Sequence, residues 1–151
     1  METKKYKQGT FIPKNKEKYI GKINPTYRSS WELRAFIWAD NSPSILSWSS
    51  ENVPIPYLNP IKKKICIYFP DLYLKIQDKT SKINQYVIEI KPSKETRKPI
   101  DGPKKKSSTL LYEKYTYIIN VSKWLEAEKY CKTKGWVFKI LTEKELGIIT
   151  S

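Results

Sequence analysis

A chain of 151 residues with 39% hydrophobic and 13% aromatic side chains can bury one core, which excludes wholesale disorder and leaves little room for a second domain. Its 29 Lys and Arg against 15 Asp and Glu give a formal net charge of +14, so a polyanionic partner is expected. Histidine is absent and Cys66 and Cys131 lie far apart, which excludes Ser-His-Asp triads, Cys-His pairs and most zinc sites. Catalysis would have to rest on carboxylates, lysine and hydroxyls, a set that suits a hard cation such as Mg²⁺. No apolar run approaches the roughly 20 residues that span a bilayer, and Met1–Lys5 does not lead into a signal peptide. A soluble intracellular protein is expected. Membrane-surface binding lacks an amphipathic basic helix, whereas RNA binding competes with DNA binding on charge alone.

Residues 1–28 read as a basic arm, punctuated by Gly9, Pro13, Gly21 and Pro25, in which eight cations face two acids. Tyr6, Phe11, Tyr19 and Tyr27 are interleaved, either as platforms for bases or as anchors to the body. The remainder, 29–151, reads as one domain. Ser29-Ser30-Trp31-Glu32 has the pattern of a capping box that opens a helix, with Trp31, Ala35 and Trp38 on one face and Asp40–Pro43 as the stop. A strand is expected over Ile45–Glu51, with Pro54 and Pro56 marking it as leading to an edge or a bend.

Lys64–Ile76 and Gln85–Lys91 read as the two arms of a hairpin about a polar turn, closed by Pro92. Residues 92–106 read as loop. Over 92–114 seven cations (Lys94, Arg97, Lys98, Lys104, Lys105, Lys106, Lys114) face three acids, so the charge is concentrated there and in the arm. Residues 107–120 are ambiguous between helix and strand. A helix is expected over about Ser122–Lys134 with Gly135 at its end, then a strand over Trp136–Leu141 and a short helix opened by the box Thr142-Glu143-Lys144-Glu145. Trp31, Trp38, Trp124 and Trp136 read as core, and Trp48 is open.

If the hairpin turn is symmetric about residue 80, Leu72 faces Ile88, Tyr73 faces Val87 and Leu74 faces Tyr86. The same register sets Asp71 opposite Glu89, with Lys91 on the same face about 6.6 Å further on. Two opposed carboxylates are unfavourable unless a cation lies between them, and a divalent ion is the natural remedy in a cleft. A bulge would move Asp71 off that face. E-x-K in a strand is by itself common on solvated sheets.

Tyr68-Phe69-Pro70-Asp71 followed by Val87-Ile88-Glu89-Ile90-Lys91 resembles the split motif of the PD-(D/E)XK nuclease superfamily, with Glu32 similar to its additional helical acid. More widely, Tyr27–Glu32, Pro54–Tyr57 and Lys139–Leu146 resemble the head-completion nucleases of T-even-like tailed phages, relatives of TnsA-like transposon endonucleases. The resemblance implies an α/β (α+β mixed-sheet) fold with a restriction-endonuclease-like core of helix, three strands, helix and strand, following the basic N-terminal arm. It implies a DNA endonuclease using Mg²⁺, or Mn²⁺ in its place, in completing filled phage heads.

By carry-over, Asp71, Glu89 and Glu32 would bind metal and Lys91 would handle the nucleophile. Glu32 would position water, or serve only as the third residue of its capping box. Glu51 lies in the matching stretch without an assigned role. Arg28, Lys94, Arg97, Lys104, Lys105, Lys106 and Lys123 are the candidates for DNA backbone phosphate. Asn120 and Lys123 otherwise cap the later helix or stay solvated. Expected partners are double-stranded DNA and phage head or portal proteins, with a homodimer if cuts are paired, and no membrane. The expected location is the host cytoplasm during assembly, with association with the virion. The rival function is a non-catalytic DNA-binding virion protein that seals the filled head.

Overall fold

The computed structural model describes residues 8–147. Its centre is a four-stranded mixed sheet in the order β3 (Ile45–Ser50), β6 (Leu72–Gln77), β7 (Ile83–Ile90), β8 (Val137–Leu141). The first three are antiparallel neighbours and β7 and β8 are parallel. A parallel pair needs a long crossover, and here it is α2 (Ser107–Lys134). The expected order of helix, three strands, helix and strand is present, with a separate hairpin, β4 (Ile55–Asn59) and β5 (Lys64–Tyr68), inserted between β3 and β6.

The β6–β7 register is the one anticipated: Leu72 pairs with Ile88, Tyr73 with Val87 and Leu74 with Tyr86. Lys64–Ile76 is not one strand, however. It breaks at Phe69-Pro70-Asp71, where Pro70 has no amide to donate, and its two halves pair with different partners. Of the edge or bend expected at Pro54 and Pro56, the segment Ile55–Asn59 is the edge: it is a strand of a two-stranded ribbon, where Pro56 can turn its missing donor outward.

Sheet alternation sorts the side chains into two layers. Leu72, Leu74, Ile88 and Ile90 point to one face, where they meet Ala35, Phe36 and Ala39 of α1 (Ser30–Asn41) and Trp48 of β3. Val87 and Glu89 alternate with them and so face the layer of α2. There Trp124 and Ala127 pack with Ile55, Tyr57 and Tyr68 of the hairpin and with Phe138 and Ile140 of β8. Trp48 is wholly buried and touches Phe11, Tyr19 and Phe36.

Ser29 caps α1 as expected, its hydroxyl accepting from the Glu32 amide at 3.1 Å. Trp38 is not core: it is 44% exposed, because the buried stripe runs through Ala35, Phe36 and Ala39 instead. Trp124 is buried, Trp31 half-buried against the core, and Trp136 packs on Tyr73 and Tyr130. Residues 107–120 are helical, the first half of one 28-residue α2. Their aromatic and β-branched residues are outvoted by continuity with the well-packed second half, since a helix extends more readily than it nucleates. Gly135 ends it in the left-handed conformation, φ 73°, as the C-terminal glycine should. The last helix, α3 (Glu143–Leu146), carries the expected capping box.

The arm is packed into the body over its described part. β1 (Gly9–Thr10) pairs with β2 (Thr26–Tyr27), and residues 18–20 run along β3, with Ile20 N–H donating to Trp48 O and Trp48 N–H to Lys18 O. Buried Asp40 accepts from the amides of Lys14 (2.9 Å) and Asn15 (3.3 Å). Phe11, Tyr19 and Tyr27 are therefore anchors, packed against the main core. Lys4, Lys5, Tyr6 and Lys7 lie outside the described residues. Among the described residues no helix is long and apolar enough to cross a membrane.

Candidate active site

Asp71 stands one residue before β6, directly after buried Pro70. Its Oδ2 accepts a 2.7 Å hydrogen bond from the Ile90 amide, and its carbonyl accepts from the Glu51 amide at 3.2 Å. Strands β3 and β7 thus hold it from both sides. Continuing the β6–β7 register by one step sets it against Glu89, which is buried on the α2 side of the sheet. Burial raises the Asp71 carboxyl well above the ordinary aspartate value, and the charge of Glu89 pushes in the same direction. Lys91 follows on the same face, its Nζ 3.8 Å from Glu89 Oε2.

On the other side of Asp71 are two further acids. Glu32, in the first turn of α1, is half-buried, and the Ser29 hydroxyl donates to its carboxylate at 3.2 Å. Burial raises its pKa, followed by the charge of Asp71. Its backbone amide takes part in the cap by donating to the Ser29 hydroxyl, while its carboxylate faces the acidic cluster. Glu51 follows β3 in the left-handed region at φ 46°, which a residue with a Cβ rarely adopts. That turn brings its carboxylate back to the site, where Arg28 pairs with it.

One oxygen from each of Glu32, Glu51 and Asp71 lies within 4.8 Å of the others. Oxygens that share one Mg²⁺ lie roughly 3–4 Å apart, so small side-chain rotations would bring these three into one coordination shell. The donor set is all carboxylate, with neither thiol nor imidazole, and fits a hard divalent cation. Mutual repulsion in a partly buried site adds to that fit. Glu89 stands outside this trio, on the opposite flank of Asp71 beside Lys91. The ligand set read from the sequence was Asp71, Glu89 and Glu32; Glu51 had only its place in the matching stretch. A left-handed backbone bend leaves no pattern in side-chain type.

The phosphate candidates scatter. Lys94 and Arg97 are exposed in the short 3₁₀ turn Ser93–Thr96 and just after it, next to Lys91 in the chain. Lys104 and Lys106 are exposed before α2, whereas Lys105 turns inward, donating to Ile100 O at 2.6 Å and Glu113 Oε2 at 3.1 Å. Arg28 is held by Glu51. Asn120 and Lys123 cap nothing, since α2 begins at Ser107; Asn120 is buried, and Lys123 is half-buried over the rings of Tyr57 and Tyr68. Burial lowers the Lys123 ammonium below the ordinary lysine value, with Glu89 acting in the opposite sense.

A mixed sheet with helices on both faces, an acid before one strand, and Glu-x-Lys at the end of its neighbour define a restriction-endonuclease-like protein of the PD-(D/E)XK type. Residues 42–143 match the family described as "TnsA-like endonuclease N terminal", and the chain belongs to that family. It is similar to the Head completion nuclease of Enterobacteria phage T4, with 37% identity over 142 residues that cover 91% of this chain and 92% of the phage protein.

Proposed function

We propose that this chain is a Mg²⁺-dependent DNA endonuclease that hydrolyses phosphodiester bonds while phage heads are completed after packaging. The observation that carries the reading is Asp71, tied to the Ile90 amide and set against Glu89, with the Lys91 ammonium 3.8 Å from that same glutamate. The similarity to a protein named for head completion supports the assembly role.

Asp71 is the central ligand, because it lies between Glu89 on one flank and Glu32 and Glu51 on the other. When bound, the ion supplies Lewis acidity to the scissile phosphate and makes water more acidic. Lys91 offsets negative charge that grows on the phosphate as the bond to the leaving oxygen lengthens, and its N–H groups orient the incoming water. Glu89 holds Lys91 at this post. Glu32, fixed by the Ser29 hydroxyl, would help hold the ion and orient the incoming water. Lys94, Arg97, Lys104 and Lys106 follow the duplex backbone outside the site, whereas Arg28 stays with Glu51 at its edge. Double-stranded DNA and phage head or portal proteins are the partners. Paired cuts would need a homodimer, and the place of action is the host cytoplasm during assembly, followed by the virion.

Incubation with supercoiled plasmid tests this. Wild type is expected to nick or linearise the plasmid with Mg²⁺ or Mn²⁺ and not with chelator, and Asp71→Ala and Lys91→Ala are expected to leave it intact. Tight salt-sensitive binding with no cleavage under either metal would instead favour a protein that seals the head.

A further inference from the structure

Lys123 sits in the middle of α2, on the side that faces Glu89. Its Nζ is 5.5 Å from the centroid of the Tyr68 ring and 5.8 Å from that of Tyr57. Both tyrosines are fixed: they are 4% and 6% exposed, in the cluster that α2 forms with the β4–β5 hairpin. Aromatic faces attract an ammonium group, yet they do not use its three N–H donors as an oxygen would. Among the described residues no carboxylate lies within ion-pair distance of Lys123, whereas Lys91, Lys105 and Lys129 each have one. Beside it, the Tyr68 hydroxyl is buried close to the Glu89 carboxylate, whose charge adds to burial in raising the phenol's pKa. Glu89, Lys91 and Asp71 are among the charges that act on Lys123.

We propose that Lys123 is a second phosphate-gripping lysine of the active site, with Tyr57 and Tyr68 as its positioning residues. This rests on the endonuclease reading above. A solvated lysine would extend its head into water, but this one is drawn over two buried rings and left with donors to spare. The charge balance leads to the same place. Glu32, Glu51, Asp71 and Glu89, when ionised, are matched by Arg28, Lys91 and one divalent ion. An incoming phosphodiester adds one negative charge, and Lys123 is the half-buried cation without a counter-ion at hand. Its N–H groups are suited to a non-bridging oxygen of a phosphate at or next to the scissile bond.

Lys123→Met keeps the aliphatic stem over the tyrosines and removes the charge, and Lys123→Arg restores a cation. Three readouts are needed: single-turnover cleavage of a duplex with Mg²⁺, melting temperature, and binding of a short duplex in Ca²⁺ at several salt concentrations. The methionine variant is expected to lose at least tenfold in cleavage, to melt as wild type does, and to bind with a salt slope lower by about 0.9, the share of one phosphate. The arginine variant is expected to recover most of the cleavage. Cleavage and binding by Lys123→Met at wild-type levels would overturn the proposal, as would a loss that follows a fall in melting temperature and is not rescued by arginine. Should wild type cleave nothing with any metal, the endonuclease reading fails separately. The salt slope then still decides the phosphate contact, a lowered slope supporting it and an unchanged one refuting it.

Discussion

The Asp71 carboxylate accepts a hydrogen bond from the Ile90 amide at 2.7 Å, one residue before strand pairing begins at Leu72. This bond carries the β6–β7 register one step past the strand's end. It keeps Asp71 beside Glu89 without a bulge, although Pro70 has just interrupted the chain. An acid that could have swung into solvent is instead held against another acid. Such a pair weakens the fold for the sake of what binds there.

Because burial and Glu89 raise the Asp71 pKa, the folded protein favours the protonated acid. The stability contributed by that proton is full below the ordinary carboxylate range and is lost as pH rises through the elevated folded value. Asn at this position imitates the protonated form at every pH. In chelator at neutral pH, Asp71→Asn should therefore melt above wild type, and the gap should close as pH falls to about 4. Thermal melts of both proteins across pH check this, and a gap that widens on acidification would contradict it.

Glu51 owes its place to a left-handed backbone turn and should matter to metal more than to folding. Glu51→Gln is expected to weaken Mg²⁺ activation by roughly 10–100-fold, the range seen when a supporting carboxylate is lost, with little change in melting temperature. A Mg²⁺ titration of plasmid cleavage measures it. An unchanged midpoint would remove Glu51 from the site.

The lysine run before α2 should divide by orientation. Replacing Lys104 and Lys106 with Ala is expected to lower the salt slope of duplex binding by up to about 1.8, two phosphates' worth. Lys105→Ala should leave the slope alone, since its ammonium is spent on Ile100 O and Glu113. Binding isotherms at three or more salt concentrations distinguish the two variants.

Asp40 fastens the N-terminal segment through the amides of Lys14 and Asn15. Asp40→Ala leaves both without an acceptor and is expected to cost about 1–3 kcal/mol. Limited proteolysis should then cut within residues 13–20 before any other site, whereas wild type should resist there.

Local chemistry with a short range was legible in the sequence. The Ser29 and Thr142 caps, Gly135 and the cross-strand pairs from Leu72 to Leu74 each depend on residues close in the chain or on strict alternation. What escaped depends on tertiary packing. Tyr115–Ile119, β-branched and aromatic, leaves residues 107–120 open between helix and strand, and it is helix because α2 is anchored further on by Trp124 and Ala127. Trp38 reads as core, yet Phe36 on the neighbouring stripe fills the space against Trp48. The acids divide in the same way. Asp71 and Glu89 come together by register, with Lys91 beside them, while Glu51 arrives through a bend that follows a strand.

Anomalous scattering from a crystal grown with Mn²⁺ would locate the ion itself. A peak is expected within coordinating distance of an Asp71 oxygen, roughly 2.0–2.2 Å away, with at least one oxygen from Glu89, Glu32 or Glu51 completing the shell. An ordered Asp71 with no ion beside it, or an ion bound only elsewhere on the molecule, would contradict the assignment.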